Sequence, residues 1–390
     1  MPMTIQGISE KARDWNFMNE LDFLWFCVLQ NDGEYLGTKE LPPRKPTLEY
    51  ISSLIDTAGE MGFSSLLTAT NYHSMLENYT AAIAALARTK GAGLLIAVRP
   101  GMFDAAMYAK MVATAQNLFP GRVRVNIVTG SSPAENAMYG DFEPHEQRYE
   151  RTREFMQLLR KFWTTDGPIN YQSERFHYVG AVLEPKPVQP IPLYFGGASE
   201  PAMRIAAELA DCYLLWGEPL AMLKTRIARM KELEQEFGRT VKLGLRTHVV
   251  VRETEEEAIA AANRMISKID PAVRENFMKS YAKVDSTGQG NQIKILQSAL
   301  EKGDLFIEPN LWAGVGMARS GVGVAIVGSP EQVAAKIRGY QDIGIDTFIF
   351  SGYPHLDECR RFGELVMPYF KQDQISSDRK LFDIGVAPTV

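Results

Sequence analysis

The sequence predicts an α/β fold in which eight parallel β-strands, each followed by a helix, close into a (β/α)8 TIM barrel with insertion segments. Short β-rich apolar runs alternate with longer amphipathic stretches along the chain, and this alternation is typical of a parallel sheet. The apolar runs number eight, which is the strand count of a closed barrel. An open, doubly wound sheet is the alternative, and the lack of a GxGxxG motif at the first strand–helix turn weakens it.

Each predicted strand is a short apolar run rich in β-branched and aromatic residues. The runs are residues 23–29, 64–70, 93–99, 123–129, 191–197, 211–217, 243–251 and 346–352. Amphipathic periodicity predicts helices between them. These helices cover residues 47–62, 103–119, 145–163, 218–238 and 254–269.

Several segments lie outside this alternation. Residues 164–190 predict a short hairpin and a Pro-rich link into the fifth strand. Residues 270–328 form an insertion before the last strand, and its polar stretch 283–292 predicts a mobile lid. Residues 1–20 are an N-terminal extension, and residues 371–390 are a tail without a core pattern, so we expect one barrel domain in all.

Composition and charge exclude several classes of protein. The chain has a net charge of -5 and is 45% hydrophobic and 23% charged, and no apolar run nears the ~18 residues that span a bilayer. We expect a cytoplasmic protein that binds neither membrane nor nucleic acid. The odd, widely spaced cysteines and the lack of HExxH or CxxC motifs predict no disulfide framework and no metal site. An organic cofactor is then expected to supply the chemistry.

In such a barrel the working site lies at the carboxyl ends of the strands. The fifth strand ends in Gly196-Gly197-Ala198-Ser199. This turn is either a phosphate cradle at a helix N-terminus or a plain tight turn with Ser199 as the N-cap, and its spacing leaves both open.

The seventh strand places Arg246 and His248 on one face, because alternate residues of a strand share a face. The pair either binds an anion and handles protons or forms a structural salt bridge with a buried carboxylate, and the pattern favours the first. Arg319, in the insertion, is either a solvated loop residue or a second guanidinium that clamps the anion.

Three further residues stand on or after strands. Tyr353 follows the eighth strand and either donates a proton or packs on the rim. Trp216 ends the sixth and either walls a ring-shaped ligand or packs. Asn126 lies inside the fourth, where a buried amide needs partners that a cofactor ring could supply.

From about Trp25 to Tyr369 the chain resembles the two-component FMNH2-dependent alkanesulfonate monooxygenases of the bacterial-luciferase superfamily. The resemblance is carried by DGEYLG (32–37), VNIVTGSSP (125–133), HEQRYE (145–150), PLYFGGAS (192–199), YLLWGEP (213–219), GLRTHVVVRET (244–254), NLWAGVG (310–316), ARSGVGVAIVG (318–328) and SGYPHLDE (351–358).

The resemblance implies a barrel of the bacterial-luciferase type that uses O2 and FMN. FMNH2 is expected from a separate NAD(P)H-dependent flavin reductase, since the chain has no NAD(P)H-binding fingerprint. The residues implied in contacts with the flavin are Asn126, Arg148, Tyr149, Gly197, Ser199 and Thr70. The residues implied around a sulfonate and the reacting edge of the flavin are Trp216, Arg246, His248, Arg319 and Tyr353.

The implied reaction cleaves a C–S bond and releases sulfite and an aldehyde. Arg246 and Arg319 would hold the sulfonate oxygens, His248 and Tyr353 would manage protons, and Trp216 would shape the pocket. A lid over about 283–320 would exclude water, and the family leads us to expect a homodimer or homotetramer.

One feature departs from these relatives and leaves alternatives open. The loop 70–78 lacks the cysteine that the alkanesulfonate enzymes carry after the second strand. Either Tyr72, His73 and Asn78 adapt the site to a more polar substrate such as a sulfonated sugar, or the loop has simply drifted. The rivals are an oxygenase acting on a sulfone, amine or pyrimidine, a deazaflavin-dependent hydride-transfer enzyme, and a non-catalytic flavin-binding protein.

Overall fold

The computed structural model describes residues 21–281 and 285–370. The predicted N-terminal extension and C-terminal tail, together with residues 283 and 284 of the polar stretch, lie outside the described residues. No helix in the described ranges is long and apolar enough to cross a membrane.

A closed barrel of eight parallel strands forms the centre of the protein. The strands are β1 (Asp22–Cys27), β2 (Ser65–Thr68), β3 (Gly93–Val98), β4 (Val123–Ile127), β7 (Leu193–Gly196), β8 (Cys212–Trp216), β9 (Lys242–Val251) and β13 (Thr347–Ser351). Each pairs with the next in this order, and β13 returns to pair with β1. Every predicted run overlaps one of these strands, so the predicted (β/α)8 barrel is confirmed.

Helices surround the barrel, and most begin at a residue whose side chain caps the first turn. They are α1 (Leu48–Glu60), α2 (Asn78–Arg88), α3 (Ala105–Leu118), α4 (Pro133–Met138), α5 (His145–Thr164), α6 (Glu200–Leu209), α7 (Leu220–Phe237), α8 (Glu255–Ile266), α11 (Pro330–Gln341) and α12 (His355–Leu365). Thr47, Asp104 and Ser329 accept hydrogen bonds from backbone N–H groups of the helices that follow them. The apolar faces of the helices pack on the outer side of the strands and form the main core.

The barrel interior is layered along its axis. Leu24, Leu95 and Leu214 belong to a buried apolar cluster inside it. Toward the amino ends of the strands, Arg124 pairs with Asp22 at 2.6 Å and forms a polar floor. Binding groups for a ligand therefore lie at the other end, above the apolar layer.

Two irregular segments differ in how well the sequence predicted them. The predicted hairpin is present as β5 (Ile169–Gln172) and β6 (His177–Ala181), which pair antiparallel. The insertion contains α9 (Pro271–Tyr281), α10 (Thr287–Lys302), β10 (Phe306–Glu308), β11 (Leu311–Trp312) and β12 (Ala325–Gly328). The secondary structure within this insertion was not part of the sequence prediction. β9 is longer than its barrel neighbours, so its last residues are left to pair with β12.

The first turns of α10 replace most of the polar loop that the sequence predicted. Gln289 and Gln292 are buried there, and Gln292 donates to the carbonyl of Gly217 at 2.9 Å and accepts from the N–H of Gly323 at 2.8 Å. These bonds attach α10 to the loop after β8, and the lid function of the insertion stays a prediction.

Candidate active site

Arg246 is buried at the mouth of the barrel, on the interior face of β9. Its Cα pairs with Trp216 on β8 and with Ile349 on β13, and Ile349 packs inside the barrel. Its Nη2 donates to Ser351 Oγ at 2.8 Å, and its Nη1 donates to the carbonyl of Thr247 at 2.5 Å. Within the described part of the chain none of its hydrogen bonds goes to a carboxylate. The alternative of a structural salt bridge is therefore wrong for Arg246.

His248 is buried two residues further along β9. Its Nδ1 lies 2.7 Å from Ser351 Oγ, and its Nε2 lies 3.2 Å from the carbonyl oxygen of Val322. Because a carbonyl can only accept, Nε2 carries the hydrogen and Nδ1 accepts from Ser351. Burial, and after it the charge of Arg246, lowers the pKa of His248 well below its usual value. The ring is thus neutral at pH 7, with both nitrogens engaged.

Arg319 and Tyr353 complete this group from the insertion and from the loop after β13. Arg319 Nη1 donates to the Tyr353 hydroxyl, and the Tyr353 ring stacks on His248 with centroids 5.5 Å apart. The guanidinium carbons of Arg246 and Arg319 lie 5.0 Å and 5.9 Å from the centroid of the same Phe26 ring. The two guanidiniums and His248 therefore converge. We call Phe26, Arg246, His248, Arg319 and Tyr353 the mouth cluster.

The mouth cluster is built to receive negative charge. Burial, and after it the neighbouring Arg319, lowers the pKa of Arg246 to about 9, which leaves the guanidinium charged at pH 7. A desolvated cation beside another cation gains from an oxyanion, and the forked donors of arginine match its oxygens. The Tyr353 hydroxyl accepts from Arg319 and keeps its own hydrogen to donate.

His355 borders the mouth cluster, and the sequence reasoning did not select it. Its Nδ1 and its backbone N–H each lie 2.8 Å from one oxygen of Asp32, and its ring stands edge-on to Tyr353 at 4.9 Å. Burial raises the pKa of Asp32, but His355 and Tyr50 outweigh it and hold the pKa below its usual value. The buried Nε2 of His355 has no hydrogen-bond partner among the described residues. Asp32 lies too far away in the chain for any local pattern to have shown the pair.

A second group lies where α5 and α6 begin. Ser199 caps α6 and donates to the Tyr149 hydroxyl at 3.1 Å. Burial raises the pKa of Tyr149, so the phenol keeps a hydrogen for a ligand. Gly197 has a φ of 157°, and a Cβ there would lie 2.5 Å from the Cβ of Ala202, so only glycine allows this turn. We call this group, with Arg148, the cradle.

Arg148 is the buried cation of the cradle. Its Nη1 donates to the carbonyl of Glu143 at 2.8 Å, and its Nη2 donates to Asp285 Oδ2 at 2.7 Å. Its Nε is buried without a hydrogen-bond partner in the described ranges. Ser199 is thus the N-cap of α6, as one interpretation of the Gly-Gly-Ala-Ser turn expected, and the phosphate-binding interpretation stays a prediction.

Trp216 and Asn126 lie on the barrel strands β8 and β4. A Cβ on Gly288 would lie 3.5 Å from the Trp216 ring and 3.8 Å from the Cβ of Ala198, so the start of α10 contacts both the Trp216 wall and the turn of the cradle. Asn126 is buried on β4, and its register partner Tyr194 points into the barrel. These positions suit a planar ring lying between the mouth cluster and the cradle.

Thr70 follows β2 and does not join either group. Its carbonyl accepts from Arg99 at 3.5 Å, and Arg99 also pairs with Glu135 at 2.8 Å. Glu135 in turn accepts from the N–H of Tyr72, which fixes the loop that replaces the missing cysteine. Asn78 donates to the carbonyl of Ala97 at 2.6 Å, so this amide ties α2 to β3.

A cavity of about 670 Å³ opens beside the cradle, between α5, α6 and α7. It is lined by residues that include His145, Tyr149, Arg153, Ser199, Arg204 and Phe237. Its two arginines are paired with Glu208 and Glu236. The cavity therefore borders Tyr149 and Ser199 of the cradle, and no residue of the mouth cluster is among its lining residues.

Comparison with known proteins identifies a family. A profile described as luciferase-like monooxygenase matches residues 21–347. The structure of the EDTA monooxygenase (EmoA) from Chelativorans sp. BNC1 has a TM-score of 0.71 and 18% identity, covering 91% of this chain and 95% of that one. Riboflavin lyase (RcaE), solved with modified FMN and riboflavin, has a TM-score of 0.74 and 18% identity, with coverages of 91% and 92%.

A third similar structure carries a different cofactor. It is an F420-dependent secondary alcohol dehydrogenase in complex with an F420–acetone adduct, with a TM-score of 0.65 and 18% identity, covering 90% of this chain and 99% of that one. At such identity the three likenesses show the shared fold.

Proposed function

Because the chain belongs to the family of luciferase-like monooxygenases and is an oxidoreductase, we propose that it is an FMNH2-dependent monooxygenase that cleaves the C–S bond of an organosulfonate. The balanced reaction converts R–CH2–SO3⁻, O2 and FMNH2 into R–CHO, HSO3⁻, FMN and water. FMNH2, when bound, supplies the two electrons that reduce O2.

The convergence of Arg246 and Arg319 is the observation that carries the choice of substrate. Arg246 is buried, has no carboxylate among its hydrogen-bond partners in the described ranges, and lies beside a second guanidinium. Such a site favours a permanently ionised oxyanion over a neutral sulfone, because a neutral ligand would leave the buried charge of Arg246 without a counter-charge.

Each residue of the mouth has a distinct role in this proposal. Arg246 and Arg319 bind the sulfonate oxygens, Tyr353 donates a hydrogen bond from its free hydroxyl hydrogen, and Trp216 forms a wall. His248, being neutral and bonded at both nitrogens, orients Ser351 and so Arg246. The proton transfer expected of His248 from the resemblance stays a prediction beside this orienting role.

The cradle and the interior amide fit FMN. Arg148, Tyr149 and the Ser199–Gly197 turn would hold the phosphate, and Asn126 and the backbone near Thr70 would face the ring. We propose that a separate NAD(P)H-dependent reductase supplies FMNH2 and that the protein assembles as a homodimer or homotetramer.

The test is a screen for sulfite release. The protein is incubated with FMN, NADH, any flavin reductase and a panel of alkyl, aryl and sugar sulfonates, with a neutral sulfone and F420 as further arms. We expect sulfite only with sulfonates and FMN, and a loss of about 30-fold or more in kcat/KM for Arg246→Met, the size expected for removing one partner of a buried charge pair.

The matched control is Arg264→Met, because Arg264 lies on the exposed side of α8 and pairs with Glu34. Its activity should equal that of the unmodified protein. Oxidation of the neutral sulfone with no effect of Arg246→Met, or hydride transfer with F420, would reject the sulfonate proposal.

A further inference from the structure

An acidic side chain occupies the cationic side of the cradle. Asp285 precedes α10, and its Oδ2 accepts from Arg148 Nη2 at 2.7 Å. Its Oδ1 lies 3.3 Å from His145 Nδ1, and its backbone N–H donates to the carbonyl of Ser131 at 3.2 Å. The insertion therefore holds a carboxylate against Arg148, the cation that would bind a flavin phosphate.

The carboxylate satisfies this site only in part. Asp285 Oδ1 is buried without a hydrogen bond, and Arg148 Nε is buried without a partner, both within the described part of the chain. Buried polar atoms normally have partners, so unsatisfied atoms on both sides of one contact indicate that another group fits better. A phosphate offers three terminal oxygens where the carboxylate offers two, and can meet Arg148 and the Tyr149 hydroxyl together.

We infer that Asp285 competes with the phosphate of the flavin for Arg148, and that it thereby lowers the affinity of the site for FMN. The inference rests on the proposed use of FMN. We expect the phosphate to displace Asp285 when it binds Arg148, because two anions on one guanidinium repel each other. A flavin that arrives reduced from a reductase and leaves oxidised after each turnover is then exchanged rather than retained.

Departure of Asp285 also affects the barrel mouth. Asp285 directly precedes the N-cap of α10, Ser286, and Gly288 of that helix lies against Trp216 and Ala198. Phosphate binding therefore loosens the start of α10 over the ring site. Exchange of one anion for another at Arg148 would couple occupancy of the cradle to access to the mouth cluster.

The test compares the affinities of FMN and riboflavin, which differ only in the phosphate. Both are titrated by flavin fluorescence against the unmodified protein, Asp285→Asn and Asp285→Ala. We expect both variants to bind FMN roughly 10- to 100-fold tighter, the range for removing a repulsive neighbouring charge, with riboflavin affinity unchanged. The control is Asp304→Asn, since Asp304 lies exposed in the same insertion and accepts from the nearby N–H of Phe306.

A second variant separates the inference from the function. Arg148→Met should abolish the preference for FMN over riboflavin, and adding Asp285→Asn to it should then have no further effect. FMN affinity that depends on Arg148 but is unchanged or weakened by Asp285→Asn would overturn the inference and leave the proposed function standing. Equal affinities for FMN and riboflavin in Asp285→Asn, where no carboxylate competes for Arg148, would overturn both.

Discussion

At the scale of single residues, the mouth is organised by a chain of directed hydrogen bonds. Arg246 donates to Ser351, Ser351 donates to His248, and His248 donates to the carbonyl of Val322. Each direction is fixed by the last acceptor, because a carbonyl oxygen has no hydrogen to give. One hydroxyl therefore sets both the tautomer of the imidazole and the orientation of the guanidinium.

Replacing that hydroxyl should weaken substrate binding without unfolding the protein. In Ser351→Ala both Arg246 and His248 lose a buried partner, which costs about 1–3 kcal/mol, or roughly 10- to 100-fold in kcat/KM. Steady-state kinetics with the best sulfonate substrate measures this change in kcat/KM. Ser53→Ala on the exposed side of α1 is the control. Unchanged kinetics in Ser351→Ala would show that the hydrogen-bonded series Arg246–Ser351–His248 is not needed for substrate binding.

The pKa of Arg246 predicts a pH limit on anion binding. Burial and Arg319 lower this pKa to about 9, so the free site loses its charge as the pH rises through that value. A bound sulfonate stabilises the charged form, so the loss appears as a rise in KM rather than as a fall in kcat. We expect KM for a sulfonate to be flat from pH 7 to 8 and to climb above about 9. A flat KM up to pH 10 would contradict this.

At the scale of elements, the start of α6 depends on one glycine. The turn brings Gly197 against the first turn of its own helix, with Ala202 as the nearest neighbour, while its carbonyl accepts from Tyr213 at 2.6 Å. The same turn positions Ser199 for both its capping bond and its contact with Tyr149. A change here moves the cradle as a unit.

Gly197→Ala should therefore reduce both stability and FMN affinity. The new Cβ would lie 2.5 Å from that of Ala202, and such overpacking costs about 1–3 kcal/mol. Gly290→Ala is the matched control, because a Cβ there meets nothing within 4 Å and alanine in a helix gains about 0.5–1 kcal/mol over glycine. Urea unfolding of both variants should show a lower free energy of unfolding for Gly197→Ala and a higher one for Gly290→Ala. FMN titration should show weaker binding for Gly197→Ala alone.

At the scale of the whole molecule, the barrel is closed below the site by an ion pair across its interior. Asp22 on β1 and Arg124 on β4 meet at 2.6 Å, and Arg124 also donates to the Tyr194 hydroxyl at 3.0 Å. The strands that carry them are not neighbours in the sheet. The pair thus links two walls of the barrel that are not adjacent in the sheet.

Asp22→Asn should destabilise the barrel by about 3 kcal/mol, since it removes the carboxylate that pairs with the buried Arg124. Burial raises the pKa of Asp22, but Arg124 and its other partners outweigh it and lower the pKa below 3.8. The contribution is therefore present above that pH and is lost as the pH falls through the folded-state pKa. Urea unfolding at pH 7 and pH 3 should show a difference from the unmodified protein that shrinks in acid. Asp166→Asn, on the exposed surface, should show none.

The sequence by itself determined the barrel and the facing of Arg246 and His248. Strand and helix periods are local properties of the chain, so eight apolar runs and their helical spacers can be recognised one at a time. Two residues spaced by two on a strand must share a face whatever surrounds them. The same local logic placed Tyr353 and Trp216 at strand ends.

Only the tertiary structure decided which distant groups meet and in which protonation state. The contacts of Asp32 with His355 and of Arg148 with Asp285 join residues 323 and 137 positions apart, and no local pattern connects them. β12 pairs with the end of β9 because β9 extends beyond its barrel neighbours β8 and β13. This pairing depends on the lengths of those three strands together. The neutral ring of His248 follows from burial beside two cations, and burial is a property of the packed molecule, not of the residue.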